Sequence, residues 1–102
     1  MGQNEVMTLD ELRRNNRDGI MRLAAAYGAR NIRVFGSVAR GQSGPSSDLD
    51  LLVDLEPDRN LMDLGGLSVD LGDLLRAPVD VATESMLRSK VRQQALAEAV
   101  PL

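Results

Sequence analysis

The sequence predicts an α/β (α+β) fold in which helices pack against a small β-sheet. Three observations support this prediction. Apolar residues recur with a helical period in several segments, other apolar runs are short and bounded by turn residues, and the two kinds of segment alternate along the chain. A chain of 102 residues has the size of one domain. We therefore expect residues 1–102 to form a single unit with a flexible stretch at 1–7.

The N-terminal half is predicted to form a helix, a strand, a short helix and a second strand. The first helix begins at Thr8, which is spaced to form a capping box with Glu11, and it ends before Gly28. Strands are expected at 31–35 and 49–55, because both segments are short and apolar. The inner face of the first helix is expected to consist of Leu9, Leu12, Ile20, Leu23 and Tyr27.

The C-terminal half is predicted to continue as helix, strand and helix. A turn at 56–58 precedes a helix at 61–75, whose leucines recur on one side. A short third strand is expected at 77–82. Ser85 is then expected to cap a last helix that runs to about Ala99. The inner stripe of this last helix is predicted to contain Leu87, Val91 and Ala95.

The candidate catalytic residues lie between the first two predicted strands and at the start of the second. Gly36 and Ser37 form a turn at a helix start, and ten residues later come Asp48 and Asp50. Residues i and i+2 of a strand point to the same face, so the two carboxylates can converge. A helix start offers backbone N–H groups to phosphates, and carboxylates hold hard cations. This combination is what a magnesium–nucleoside triphosphate site needs.

The same residues resemble a known signature. Phe-Gly-Ser-Val-Ala-Arg-Gly at 35–41, followed by Ser-Asp-Leu-Asp-Leu-Leu-Val at 47–53, is similar to the motif of the DNA polymerase β-like nucleotidyltransferase superfamily. The extended form resembles its minimal nucleotidyltransferase (MNT) branch. The resemblance covers about residues 9–91. It implies a polymerase β-like core with a mixed sheet, and a site for two divalent ions, Mg²⁺ or alternatively Mn²⁺.

The third strand offers a further carboxylate. Asp80 stands between two valines, so alternation places it on the face opposite to theirs. It is either a third metal ligand beside Asp48 and Asp50 or an aspartate that caps a turn, and the resemblance favours ligation. Asp54 shares the parity of Asp50 but lies about 13 Å farther along the strand. We therefore interpret Asp54 as a solvated strand end.

The remaining candidate residues each have two interpretations. The resemblance implies that Gly36 and Ser37 hold the β- and γ-phosphates of ATP, whereas in isolation Ser37 would be a helix N-cap. Arg40 either neutralises the triphosphate or a site carboxylate, or it lies against the C-terminal dipole of a short helix. Ser47 is expected to brace Asp48 in its loop rather than to contact the nucleotide.

The resemblance also implies an activity and a partner. Such proteins transfer AMP from Mg-ATP to a tyrosine of a HEPN-family ribonuclease toxin and act as its antitoxin in a hetero-oligomer. Two alternatives remain open. A non-catalytic module could block its partner by occlusion, although the intact carboxylates disfavour this. A small-molecule nucleotidyltransferase would need a second protein to complete its acceptor pocket.

The amino-acid composition argues against several classes of function and of binding site. The net charge of −3 and the two aromatic residues argue against a nucleic-acid groove or a base-stacking platform. The chain contains no Cys and no His, so any metal must be bound by oxygen ligands. No apolar run reaches the length of a membrane span, and no signal peptide is visible. We therefore expect a cytoplasmic protein with no membrane or nucleic-acid partner.

Overall fold

The computed structural model describes residues 7–44 and 47–102, so the expected flexible stretch at 1–7 lies almost wholly outside the described residues. The helices are α1 (Leu9–Glu11), α2 (Arg17–Ala26), α3 (Gly36–Ala39), α4 (Leu61–Leu75) and α5 (Ser89–Glu98). A π-helical segment (Leu12–Asn16) joins α1 to α2, and a 3-10 turn (Glu84–Met86) precedes α5. The strands are β1 (Ala29–Phe35), β2 (Leu49–Leu55), β3 (Val79–Ala82) and β4 (Val100–Pro101).

The strands form one mixed sheet in the order β3-β2-β1-β4. β1 is antiparallel to both β2 and β4, whereas β2 and β3 are parallel. The parallel pair is possible because α4 provides the crossover between β2 and β3. The predicted fold class, a small mixed sheet packed by helices, is confirmed.

The core lies between one face of the sheet and the helices α2 and α4. Leu49, Leu51 and Val53 of β2 are each at most 1% exposed and face this layer, as their alternation predicts. Across from them lie the apolar stripes of the two helices, in which Ile20 and Leu67 are fully buried. This burial anchors β2, and with it the position of Asp50 on the opposite face.

Two helix starts differ in how well the sequence predicts them. The Thr8 hydroxyl accepts a hydrogen bond from the Glu11 N–H at 3.1 Å, which confirms the predicted cap. Ser85 does not cap the last helix, because it lies inside the 3-10 turn. The chain is extended at Arg88, which delays the start of α5 to Ser89. Leu87 therefore lies before α5, and Val91 in its first turn is 49% exposed, so Ala95 is the one buried member of the predicted stripe.

The predicted strands differ from the observed ones in three respects. β1 begins at Ala29 rather than at 31. β3 begins at Val79 rather than at 77, and the two-residue β4 was not predicted at all. β4 has no alternation of its own and forms only because it pairs with Arg33 and Val34 of β1. Within residues 7–44 and 47–102, no helix is both long enough and apolar enough to cross a membrane.

Candidate active site

Three carboxylates lie at one end of the sheet face that is turned away from the core. Asp50 of β2 is in register with Asp80 of the neighbouring parallel strand β3. Residues opposite each other in adjacent strands share a face, so both side chains lie on the same side of the sheet. Asp48 precedes Asp50 by two residues and enters the strand from the loop. The β2–β3 pairing on which the third carboxylate depended is therefore present.

The charges of this cluster repel one another. Burial, followed by the neighbouring carboxylates of Asp80 and Asp48, raises the pKa of Asp50 from its ordinary 3.8 to about 6, while Arg40 lowers it. Asp50 is half-buried, whereas Asp48 and Asp80 are exposed. A group of acids held together in this way is destabilising alone and is stabilised by a cation.

The donor set suits a hard divalent ion. All three side chains offer carboxylate oxygens, the ligands that such ions prefer. In the described part of the chain, no three acidic side chains stand in a preformed metal-binding cluster. The exposed side chains of Asp48 and Asp80 must therefore turn toward Asp50 to share an ion with it. Such a rotation costs little for a solvated carboxylate.

Gly36 is required by the local geometry of the turn. Its φ of +74° lies in the left-handed region, and a Cβ built there would approach the Asp50 Oδ2 atom to 2.3 Å. Only glycine avoids both conflicts. The backbone of the Gly-Ser turn thus packs directly against the most buried carboxylate of the cluster. Turn and carboxylates form one unit rather than two neighbouring features.

The short helix α3 starts two residues earlier than the N-cap interpretation of Ser37 requires. Phe35 occupies the N-cap position, and no side chain caps the helix there. Ser37 therefore lies in the first turn, where its side chain is half-buried. The interpretation of Ser37 as an N-cap is wrong. Ser37 directly follows Gly36 in the turn, and its role in phosphate binding stays a prediction.

Arg40 makes a contact that the sequence does not predict. Its Nη1 donates to both carboxylate oxygens of Glu98, at 3.0 and 2.9 Å, and its Nε donates to Gln42. Arg40 also ends α3, followed by Gly41 at a φ of 71°, so the helix-end interpretation is correct. The expected carboxylate partner also exists, but it is Glu98 of α5 rather than one of the three clustered aspartates.

Glu98 also reaches the Gly-Ser turn. Its Oε1 atom accepts a hydrogen bond from the Gly36 N–H at 3.3 Å. The hydrogen bond from Arg40 is the main cause that lowers the pKa of Glu98, with Gln94 and the Gly36 N–H acting in the same direction. Fifty-eight residues separate Arg40 from Glu98 in sequence. No local pattern could have indicated this residue.

Two other candidates have partners that explain them locally. The Ser47 hydroxyl accepts from the Gly44 N–H at 2.8 Å, so it braces its own loop. Asp54 accepts from Arg33 at 2.9 Å and from Asn31 at 3.0 Å. Asp54 lies at the end of β2 with its side chain 46% exposed, as the interpretation of a solvated strand end expects, and the two hydrogen bonds are contacts that the sequence did not predict. Asp54 pairs with Arg30 near the start of β1, at the end of β2 that lies away from Asp50.

Two cavities accompany these elements. One of about 170 Å³ adjoins the Gly-Ser turn and the Arg40–Glu98 pair, and Val91 and Gln94 of α5 form its outer wall. A larger cavity of about 620 Å³ lies at the opposite end of β2, between the start of α4 and the 3-10 turn. The smaller cavity includes Gly36, whose backbone packs against Asp50, but none of the three clustered aspartates lines it.

Comparisons with known proteins show the family to which the chain belongs. The Nucleotidyltransferase domain family matches residues 21–102. The protein adenylyltransferase MntA of Thermococcus cleftensis is 35% identical over 95 residues, which cover 93% of this chain and 96% of that protein. A solved structure provisionally assigned as a minimal nucleotidyltransferase is 46% identical, with a TM-score of 0.81 and coverage of 94% of this chain and 97% of the other.

A more distant structure shares the fold. It contains an MNT antitoxin in complex with a tri-AMPylated HEPN toxin of Shewanella oneidensis. The match has a TM-score of 0.64 at 19% identity and covers 84% of this chain and 67% of the other. The family profile spans most of the chain, including the turn and all three aspartates. The chain therefore belongs to the nucleotidyltransferase domain family and is a nucleotidyltransferase of the minimal kind.

Proposed function

We propose that this nucleotidyltransferase transfers AMP from Mg-ATP to a tyrosine of a HEPN-family ribonuclease toxin and thereby acts as a cytoplasmic antitoxin. One observation carries the proposal. The Gly36 backbone packs against Asp50, and Asp50 is in register with Asp80. A phosphate-binding turn and a set of cation-binding carboxylates are thereby held together, as nucleotidyl transfer requires.

Each residue of the site receives a role. Asp48, Asp50 and Asp80 hold two Mg²⁺ ions, for which Mn²⁺ can substitute, and Gly36 and Ser37 hold the β- and γ-phosphates. When bound at these carboxylates, such ions would supply charge neutralisation for the phosphates and for the attacking and leaving oxygens of an in-line displacement. Asp80 accepts the proton of the attacking hydroxyl. The hydroxyl oxygen forms a bond to the α-phosphorus as the bond to pyrophosphate breaks.

The acceptor hydroxyl belongs to another molecule. Tyr27 is the single tyrosine of this chain. Its hydroxyl donates to the Asp70 carboxylate at 2.5 Å, and this bond raises the pKa of Tyr27. A hydroxyl held in this way is a poor nucleophile, because it gives up its proton less readily. The ring also packs against the core, directly after the end of α2 and next to Gly66 of α4.

The identity of the acceptor follows from the relatives. MntA of T. cleftensis is named a protein adenylyltransferase, and the S. oneidensis toxin that accompanies an MNT antitoxin is tri-AMPylated. These names support a HEPN-family toxin as acceptor for this chain. In this proposal the partner supplies both the acceptor hydroxyl and the surface on which it docks.

The test is transfer to the partner with intact-mass detection. The protein, its cognate HEPN partner, ATP and Mg²⁺ should give mass increases of whole AMP units on the partner, with loss of its ribonuclease activity. The Asp48→Asn/Asp50→Asn double variant should retain its circular dichroism spectrum but produce no mass increase. Asp73→Asn, which removes one exposed charge from α4, serves as the control and should behave as wild type.

Two results would contradict the proposal. If the double variant silenced the partner fully without any mass increase, occlusion rather than catalysis would be the mechanism. If the wild-type protein labelled Tyr27 instead of the partner, the acceptor assignment would be wrong.

A further inference from the structure

The carboxylate of Glu98 contacts two groups that a nucleotide phosphate would use, the Gly36 N–H at the start of α3 and the side chain of Arg40 directly after its end. Its Oε1 accepts from the Gly36 N–H at 3.3 Å, and both of its oxygens accept from Arg40, at 3.0 and 2.9 Å. A carboxylate and a phosphate both present anionic oxygens to N–H donors. An anion of the protein itself therefore lies where an anion of the substrate is expected.

The position of Glu98 is not explained by the needs of its helix. Glu98 is the last residue of α5, where the helix dipole disfavours a negative charge. Its side chain is nevertheless only 19% exposed, and Gln94 of the same helix donates a further hydrogen bond to it at 3.3 Å. The contacts with Arg40 and Gly36, rather than local helix preference, hold the carboxylate at this place.

The cavity beside Glu98 gives its carboxylate room to move away from Gly36 and Arg40. The cavity of about 170 Å³ is lined by Gly36, Arg40 and Glu98, and also by the half-exposed Val91. The side chain of glutamate has three rotatable bonds, so Glu98 can move away without moving the backbone of α5. Gly36 and Arg40 would then be free to accept a phosphate group.

We propose that Glu98 is a built-in competitor that occupies the position of a phosphate oxygen and is displaced when ATP binds. This inference rests on the nucleotide site of the proposed function. A triphosphate that arrives with its cations gains contacts with the carboxylate cluster as well as with Gly36 and Arg40, so it can displace Glu98. Inorganic phosphate lacks most of those contacts and competes poorly. After transfer, the return of Glu98 promotes the release of pyrophosphate.

The first test is the affinity for Mg-ATP, measured by calorimetry on the Glu98→Gln variant. A binding site that is occupied part of the time by an internal competitor shows a correspondingly raised Kd. Removing the competitor should lower the Kd by about 2- to 10-fold, the range expected for a partly exposed ion pair with one additional hydrogen bond. Asp73→Asn removes the same charge from a different helix and should leave the Kd within about 1.5-fold of wild type.

Two further measurements separate displacement from simple charge repulsion. Tripolyphosphate, which lacks the nucleoside, should show the same gain in affinity, because the competition concerns the phosphates alone. In an Arg40→Gln background, the effect of Glu98→Gln should shrink, since the competitor has lost its main partner. An undiminished effect in that background would mean that Glu98 acts only through its charge, and would overturn the inference.

The outcomes also distinguish this inference from the proposed function. Equal or weaker Mg-ATP binding by a folded Glu98→Gln variant overturns the inference and leaves the nucleotide site in place. Weaker binding would show that Glu98 instead orients Arg40 for the nucleotide. If neither the wild-type protein nor the variant bound Mg-ATP, the nucleotide site itself would be refuted, and the inference with it.

Discussion

Replacing Asp50 by asparagine is expected to raise the melting temperature of the cation-free protein while abolishing nucleotide transfer. The substitution preserves the size of the side chain and removes its charge. In the native protein this charge is half-buried and lies near the carboxylates of Asp48 and Asp80. The variant should therefore separate stability from function, because the arrangement that binds cations is the one that weakens the free protein.

The magnitude follows from the pKa of Asp50. Its rise from 3.8 to about 6 corresponds to about 3 kcal/mol between the two protonation states. Solvent screening of a half-buried group reduces this to about 1–2 kcal/mol. For a domain of this size, each 1 kcal/mol shifts the melting temperature by about 4–8 °C. A gain of at least about 4 °C is therefore expected for Asp50→Asn at pH 8.

The sign of the pH dependence is determined by the direction of the pKa change. Folding raises the pKa of Asp50, so the native state keeps its proton to a higher pH than the unfolded chain does. The stability that Asp50 contributes is full below about pH 4 and is lost as the pH rises through about 6. The advantage of Asp50→Asn should consequently be largest at pH 8 and almost vanish at about pH 4.

The assay is thermal unfolding followed by circular dichroism, in a chelator and then in Mg²⁺. Added Mg²⁺ should stabilise the wild type more than the variant, because an ion that binds only the native state raises its stability. Asp48→Asn is the matched control. Its side chain is exposed, so the same loss of charge should shift the melting temperature less. A variant that melts at or below the wild-type temperature at pH 8 without cations would refute the reasoning.

Two further predictions concern the turn and the tyrosine. Gly36→Ala should lower the melting temperature and abolish transfer together, because the new Cβ would meet the Asp50 carboxylate and φ would remain positive. Gly65→Ala, in α4 where a Cβ meets nothing, should instead stabilise by up to about 1 kcal/mol, so equal effects of the two substitutions would contradict this account. Tyr27→Phe should lower the melting temperature, because it removes the hydrogen bond to Asp70, and it should leave the mass increase on the partner unchanged. A loss of that mass increase would show that Tyr27 takes part in transfer.

The sequence alone determined the elements in which the apolar pattern shows which residues are buried. β2 and α4 have the predicted bounds, because an uninterrupted apolar pattern of strand or helix period runs from end to end in each. The same alternation located Asp50 on the face opposite the core. The start of α5 differs from the prediction. A serine such as Ser85 is common both at a helix N-cap and inside a 3-10 turn, so its presence alone does not locate the helix start.

Tertiary structure decided every feature that depends on pairing between distant segments. The register that places Asp80 beside Asp50, the strand β4 and the contact of Glu98 with Arg40 all join residues far apart in sequence. The need for glycine at Gly36 also has a tertiary cause, since the Asp50 carboxylate occupies the space of a Cβ. Local propensity contains no information about such contacts. They form because burial of the shared core brings the segments together, and the geometry of the packed sheet then selects which side chains meet.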